Sequence, residues 1–125
     1  MVSFESFKPD ASSPTYLQIL TFIKRGIVAG TIKDGDELPS RRALSVLLGI
    51  NPNTVQKAFS LLEKDGLIAS SHGVTSIITI TDSSVEKLRE ELIASDITHM
   101  AAALKQSGLS LEQAAALLAH YWEEA

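Results

Sequence analysis

A chain of 125 residues with 45% apolar side chains carries enough hydrophobic material for one medium domain, or a small domain with an appendage, and is not a disordered polymer. It has no cysteine, which excludes a disulfide framework and any thiolate metal site. The net charge of −4 excludes a globally basic nucleic-acid binder, but that charge is unevenly spread: residues 1–81 hold eight Lys/Arg against seven Asp/Glu (+1), and residues 82–125 hold three against eight (−5). Any nucleic-acid contact by the first part would therefore rest on a local basic patch and not on a global field.

In chain order, Met1 to Ser13 carries Phe4, Phe7 and Pro9 ahead of a polar DASS cluster, which predicts an extended arm and a turn. This start lacks the charged head and apolar run of a signal peptide, and no apolar stretch is long enough for a membrane span. The expectation is a cytoplasmic protein without membrane attachment. Ser13-Pro14 is a helix start, serine capping and proline at the first helical position. Tyr16, Ile19, Leu20, Ile23 and Ile27 then recur at spacings of three and four, the stripe of an amphipathic helix ending at Gly30. Lys24 and Arg25 lie off the stripe and are expected in solvent. Lys33 to Asp36 reads as a turn, and Leu38-Pro39 leads to Ser40, a second cap. Ser40 to Leu48 predicts a helix of about two turns with Ala43, Leu44, Leu47 and Leu48 inward, closed by Gly49. Ile50 is expected to plug the core beneath the turn.

Asn51 to Asp65 predicts the helix around which the chain is organised. Asn51 caps it and Pro52 fits its first position. Val55, Ala58, Phe59 and Leu62 form one apolar stripe, and Asn53, Gln56, Lys57, Ser60 and Lys64 fall opposite, a face of amides, a hydroxyl and cations. Two helices joined by three residues that include a glycine form a helix-turn-helix, with this second helix suited to a DNA groove. Leu67–Ser71 and Ile77–Thr81 predict a hairpin turned at Ser71 to Val74, so the first 81 residues read as a winged helix-turn-helix.

Chemistry can be assigned residue by residue on this frame. Asn53 and Gln56 carry amides that pair bidentately with adenine. Thr54, with the N–H groups of the first turn, suits a phosphate. Lys57 reads as a phosphate contact or guanine reader. Arg42 can fork onto phosphate or guanine, and Arg41 beside it, although it faces elsewhere, is a second DNA-binding candidate. His72, His99 and His120 are widely separated and form no nucleophile–base grouping, so no enzyme and no metal site are expected.

Residues 82–125 read as a different unit. Ser83 with Glu86 and Ser110 with Gln113 each make a capping box, predicting a long helix to Ser107 and a last helix reaching Trp122. Val85, Leu88 and Leu92 share one side of the long helix, while Ile93, Ile97, Met100 and Leu104 lie about a third of a turn round. The first set is expected to pack on the winged domain and the second on another chain; a kink near Ser95-Asp96 is the alternative. Two helices as apolar as these cannot enclose their own core, so a second copy is the expected partner. The fold class is mostly α with a small β wing: a winged helix-turn-helix over residues 1–81 and a two-helix dimerisation hairpin over 82–125.

Three blocks carry a family resemblance: PTYLQI from Pro14, GTIKDGDELPSRRAL from Gly30, and GINPNTVQKAFSLLEKDGLI from Gly49. In this order and spacing the chain resembles the N-terminal domain of GntR-type transcriptional regulators over about residues 9 to 73, and the short tail resembles the YtrA-like subgroup. The resemblance implies a dimeric bacterial repressor of a type found in transporter operons, binding double-stranded operator DNA without a cofactor. It also implies DNA contacts at Arg42, at Asn51, Asn53 and Thr54, at Gln56, and at His72 and Gly73 of the wing. The wing itself departs from the family: it reads ASSHGVTSI where basic residues and a glycine pair are common. The expected function is a sequence-specific, dimeric repressor reading a palindromic operator with the helix 52–65; the alternative is a winged-helix protein-interaction module that binds no DNA.

Overall fold

The computed structural model describes residues 1–71 and 75–125. The chain forms two compact units, Met1–Arg89 and Glu90–Ala125. In the first, α1 (Thr15–Ala29), α2 (Arg41–Leu48) and α3 (Pro52–Lys64) accompany a small antiparallel sheet of β1 (Glu37–Leu38), β2 (Ile68–Ser71) and β3 (Thr75–Ile78) in the order β1-β3-β2. The long α4 (Asp82–Gln106) runs from the first unit into the second, where α5 (Leu111–Tyr121) and a short 3-10 turn (Trp122–Glu124) follow.

The predicted stripe of α1 is the backbone of the core: Ile19, Ile23 and Ile27 are buried, with Tyr16 and Leu20 half-buried at its edges. The helix starts one residue late. Pro14 holds the cap position, with no side-chain bond there, and Ser13 instead gives its carbonyl to the Gln18 amide at 2.7 Å. Gln18 also bonds the backbone N–H and carbonyl of Asp10, which fastens the loop before the helix. Bonds from the Ser12 hydroxyl and amide hold the Asp10 carboxyl below its usual range. The arm is not loose: Val2 and Phe4 are buried, the Val2 N–H reaches the Glu37 carbonyl at 2.7 Å, and Phe7 packs edge-on against Phe4 and Phe22. At the end of α1, a Cβ on Gly26 would stand 2.5 Å from the Ile32 side chain, so only glycine lets Ile32 close over the helix. Lys24 departs from its expected solvation and pairs with Asp65 at 3.3 Å, tying α1 to the end of α3.

In α2 the Ser40 hydroxyl accepts from the Ala43 N–H, as predicted, and Gly49 ends the helix at a φ of 65°. The inward face differs from expectation. Leu44 and Ser45 are buried and Leu48 is half-buried, while Ala43 and Leu47 face out. The cause is Ser45: its hydroxyl donates to the Ile50 carbonyl at 2.7 Å while the Ile50 N–H returns to the Ser45 carbonyl at 3.1 Å. This bonded clasp fixes the tight turn and leaves Ile50 half-buried beneath it, while Leu47 is exposed. Ser45→Ala is expected to lower unfolding stability by about 1 kcal/mol, the net worth of one neutral hydrogen bond. Urea titration read by circular dichroism checks this, with the slope of the transition unchanged.

The hairpin is present but shifted. Its second strand starts at Thr75 and stops at Ile78, in register Ile68↔Ile78 and Ser70↔Ser76. Thr79 and Ile80 leave the ladder to bond Leu67, Gly66 and the Asp34 carboxylate. A third strand, β1, stands where the sequence suggests only a lead-in to Ser40; it pairs Leu38 with Ser76 along the free edge of β3.

The first turn of α4 is capped by Thr81 and Ser84, whose side chains each accept from the other's backbone N–H, and not by Ser83 with Glu86. Glu86 pairs with Arg89, whose guanidinium also reaches the Val28 carbonyl at 3.1 Å. Leu88 is buried, with Val85 and Leu92 half-buried, and α4 continues through Ser95-Asp96 without interruption. In the second unit Gly108 reverses the chain at a φ of 81°, and Ser110 with Gln113 forms the predicted capping box of α5.

Candidate nucleic-acid interface

The site is one face of α3. Asn51 builds its start: the side-chain oxygen accepts from the Asn53 N–H at 2.8 Å, and Pro52 takes the position where an N–H would be unpaired. The whole predicted stripe, Val55, Ala58, Phe59 and Leu62, is buried. The whole predicted polar face, Asn53, Gln56, Lys57, Ser60 and Lys64, is exposed. The structure therefore brings together Asn51, Asn53, Gln56 and Lys57 on one surface, with Thr54 half-buried at its edge.

The start of α3 is less open to phosphate than expected. The Asn53 N–H is taken by the cap and the Thr54 N–H by the Asn51 carbonyl at 3.0 Å, and Pro52 has none. The first turn thus presents no spare backbone donor, and phosphate contact there falls to side chains. Gln56 donates to the Ser60 hydroxyl at 2.9 Å, which lays its amide along the outer face of the helix.

The two neighbouring arginines part company. Arg42 is exposed at the start of α2. Arg41 is half-buried with its guanidinium 5.2 Å above the Phe59 ring, and its Nε is buried without a hydrogen-bond partner among the described residues. Lys57 lies with its ammonium 4.0 Å from the centre of the Tyr16 ring. No sequence pattern announced these ring contacts, because each joins residues far apart in the chain. His72 and Gly73 of the wing lie outside the described residues; the last described rung below them pairs Ser71 with Thr75.

A three-residue turn between two helices, a following helix with one buried and one polar face, and a short hairpin behind it define a winged helix-turn-helix protein. The family of bacterial regulatory proteins, gntR family, matches residues 15–78. The HTH-type transcriptional repressor YtrA of Bacillus subtilis is 36% identical over 90 residues, covering 67% of this chain and 69% of YtrA. A GntR family transcriptional regulator from Listeria monocytogenes superposes with a TM-score of 0.79 at 29% identity, over 90% of this chain and 98% of that one. A solved AraR DNA-binding domain in complex with operator ORX1 superposes at a TM-score of 0.50 and 25% identity, over 63% of this chain and 95% of that one. The chain belongs to the GntR family of DNA-binding transcriptional regulators, alongside the YtrA-like members. Among the described residues no helix is long and apolar enough to cross a membrane.

Proposed function

We propose that this regulator is a dimeric repressor in the cytoplasm that reads a palindromic operator with α3, residues 1–81 binding DNA and residues 82–125 pairing two copies. Asn53 and Gln56 contact base edges, with the Asn51 amide beside them. Lys57, Thr54, Arg42 and the outer edge of Arg41 hold phosphates, and the family resemblance adds His72 and Gly73 to the DNA contacts. The observation that carries the reading is the division of α3: its apolar stripe is entirely buried, and its exposed face from Asn53 to Lys64 displays amides, hydroxyl and ammonium groups. The repressor named YtrA, and the operator bound by the AraR domain, support the direction of the activity.

The hairpin supports the pairing. No residue of α5 is buried, and Ile97, Met100, Leu104, Leu109, Ala114 and Leu118 line an apolar groove of about 300 Å³ between α4 and α5. Tyr121 and Trp122, three and four residues beyond Leu118, are also exposed. A two-fold pair would set two α3 helices roughly 34–36 Å apart, one turn of DNA. Footprinting on the DNA upstream of the protein's own gene tests the reading. Protection of an inverted repeat with half-sites one turn apart is expected. A single unpaired half-site overturns the dimer, and no retardation even at low salt leaves the protein-interaction module in its place.

A further inference from the structure

We infer that Tyr16 is a positioning residue for DNA binding: its ring holds the Lys57 ammonium in place at the reading face while leaving the charge uncompensated. The inference rests on the assignment of Lys57 to a phosphate. The ammonium lies 4.0 Å from the ring centre, and Tyr16 is half-buried on the α1 stripe whose Ile19 and Ile23 are fully buried, so the core fixes the ring. Lys57 is exposed, and a lysine with a free four-carbon stem must give up rotamer entropy when it meets a phosphate. A ring contact removes part of that cost before DNA arrives.

The same pair of helices shows what the alternative looks like. Further along, Lys24 of α1 is held by the Asp65 carboxylate at 3.3 Å, at the end of α3 away from the reading turns. That contact neutralises a charge. Were Lys57 held likewise, a phosphate would first have to displace the acid. A ring face attracts the cation through its quadrupole and leaves the outward N–H groups free to donate. Among the described residues Lys57 has no carboxylate partner. Arg41 repeats the arrangement on the Phe59 ring at 5.2 Å. Two cations, Lys57 on α3 and Arg41 on α2, thus rest on aromatic faces, while Lys24, tied to an acid, lies outside the reading turns.

The test is a double-mutant cycle with a fluorescent duplex that the wild-type chain selects from random-sequence DNA. Tyr16→Leu should weaken binding about two- to fivefold per α3, and Tyr16→Phe should bind as wild type. Lys57→Met should flatten the dependence of log Kd on log salt by about one unit per α3. In the Lys57→Met background, Tyr16→Leu should cost nothing further. An equal penalty with and without Lys57 overturns the inference, since a purely structural role for Tyr16 acts in both backgrounds. Tyr16→Phe as weak as Tyr16→Leu also overturns it, because the hydroxyl and not the ring would then matter. An unchanged salt slope in Lys57→Met sinks the phosphate assignment itself, a separate failure. Independently of any variant that fails to fold, the ring current of Tyr16 should move the Lys57 Cε protons upfield in the free protein; ordinary lysine shifts there would end the idea.

Discussion

The Asn53→Ala/Gln56→Ala double variant is expected to keep its affinity for DNA in general and lose its preference for the operator. Each amide that pairs bidentately with a base is worth about 1–3 kcal/mol of discrimination, so removing two lowers the specific-to-nonspecific ratio about thirtyfold or more at each half-site. Folding should be untouched. Both side chains are exposed, and the cap survives because Asn51 bonds the backbone N–H of residue 53, which alanine retains. The lost Gln56–Ser60 bond is a surface contact worth a few tenths of a kcal/mol, about what alanine returns through its helix propensity. The salt dependence should also hold, since Lys57 and Arg42 remain. Competition between the selected duplex and a scrambled one, at fixed salt, reads the ratio directly. A double variant that still prefers its operator would move base reading away from α3's amides, to Arg42 or the wing.

How far the site was legible depends on what each feature rests on. α3 was legible almost entirely, because its cap, its proline and four apolar positions at helical spacing all agree. The polar face follows from the stripe by geometry. The cap also carries a consequence visible in the sequence: an asparagine that satisfies the first-turn N–H groups competes with a phosphate for the same donors. By contrast α2, with eight residues, is too short for periodicity to orient it. Val46 is 78% exposed and Leu47 67%, although both are apolar, and a serine takes the inward place through its bond to Ile50. β1 is two residues long and has no period to read; it exists because β3 offers a free edge. The ring contacts at Lys57 and Arg41 come from packing between separate helices and leave no mark in local sequence.

In the proposed dimer, Leu118→Arg is expected to break the pairing and to cost the protein most of its operator affinity. Leu118 borders the apolar groove of the 90–125 unit and is 41% exposed, so an arginine there can run its stem along the rim and keep its head in water within one copy. Folding of the single chain should persist. Pairing should not, because a two-fold interface meets the substitution twice. Each copy of the proposed dimer would then have to bury a guanidinium in place of an apolar side chain, a cost that falls on the pairing twice. Ala102→Glu is the control: it lies half a helical turn from Ile93 on α4, away from the Ile93–Ile97–Met100–Leu104 stripe, and should leave pairing intact. Sedimentation velocity separates the two outcomes in free solution. On DNA, the monomer loses the advantage of delivering its second α3 as an intramolecular event, so the two half-sites should fill independently and weakly. A Leu118→Arg protein that still sediments as a dimer would place the interface elsewhere. A monomer that still binds the full operator as tightly as wild type would mean that one α3 suffices, and the palindrome would no longer be needed.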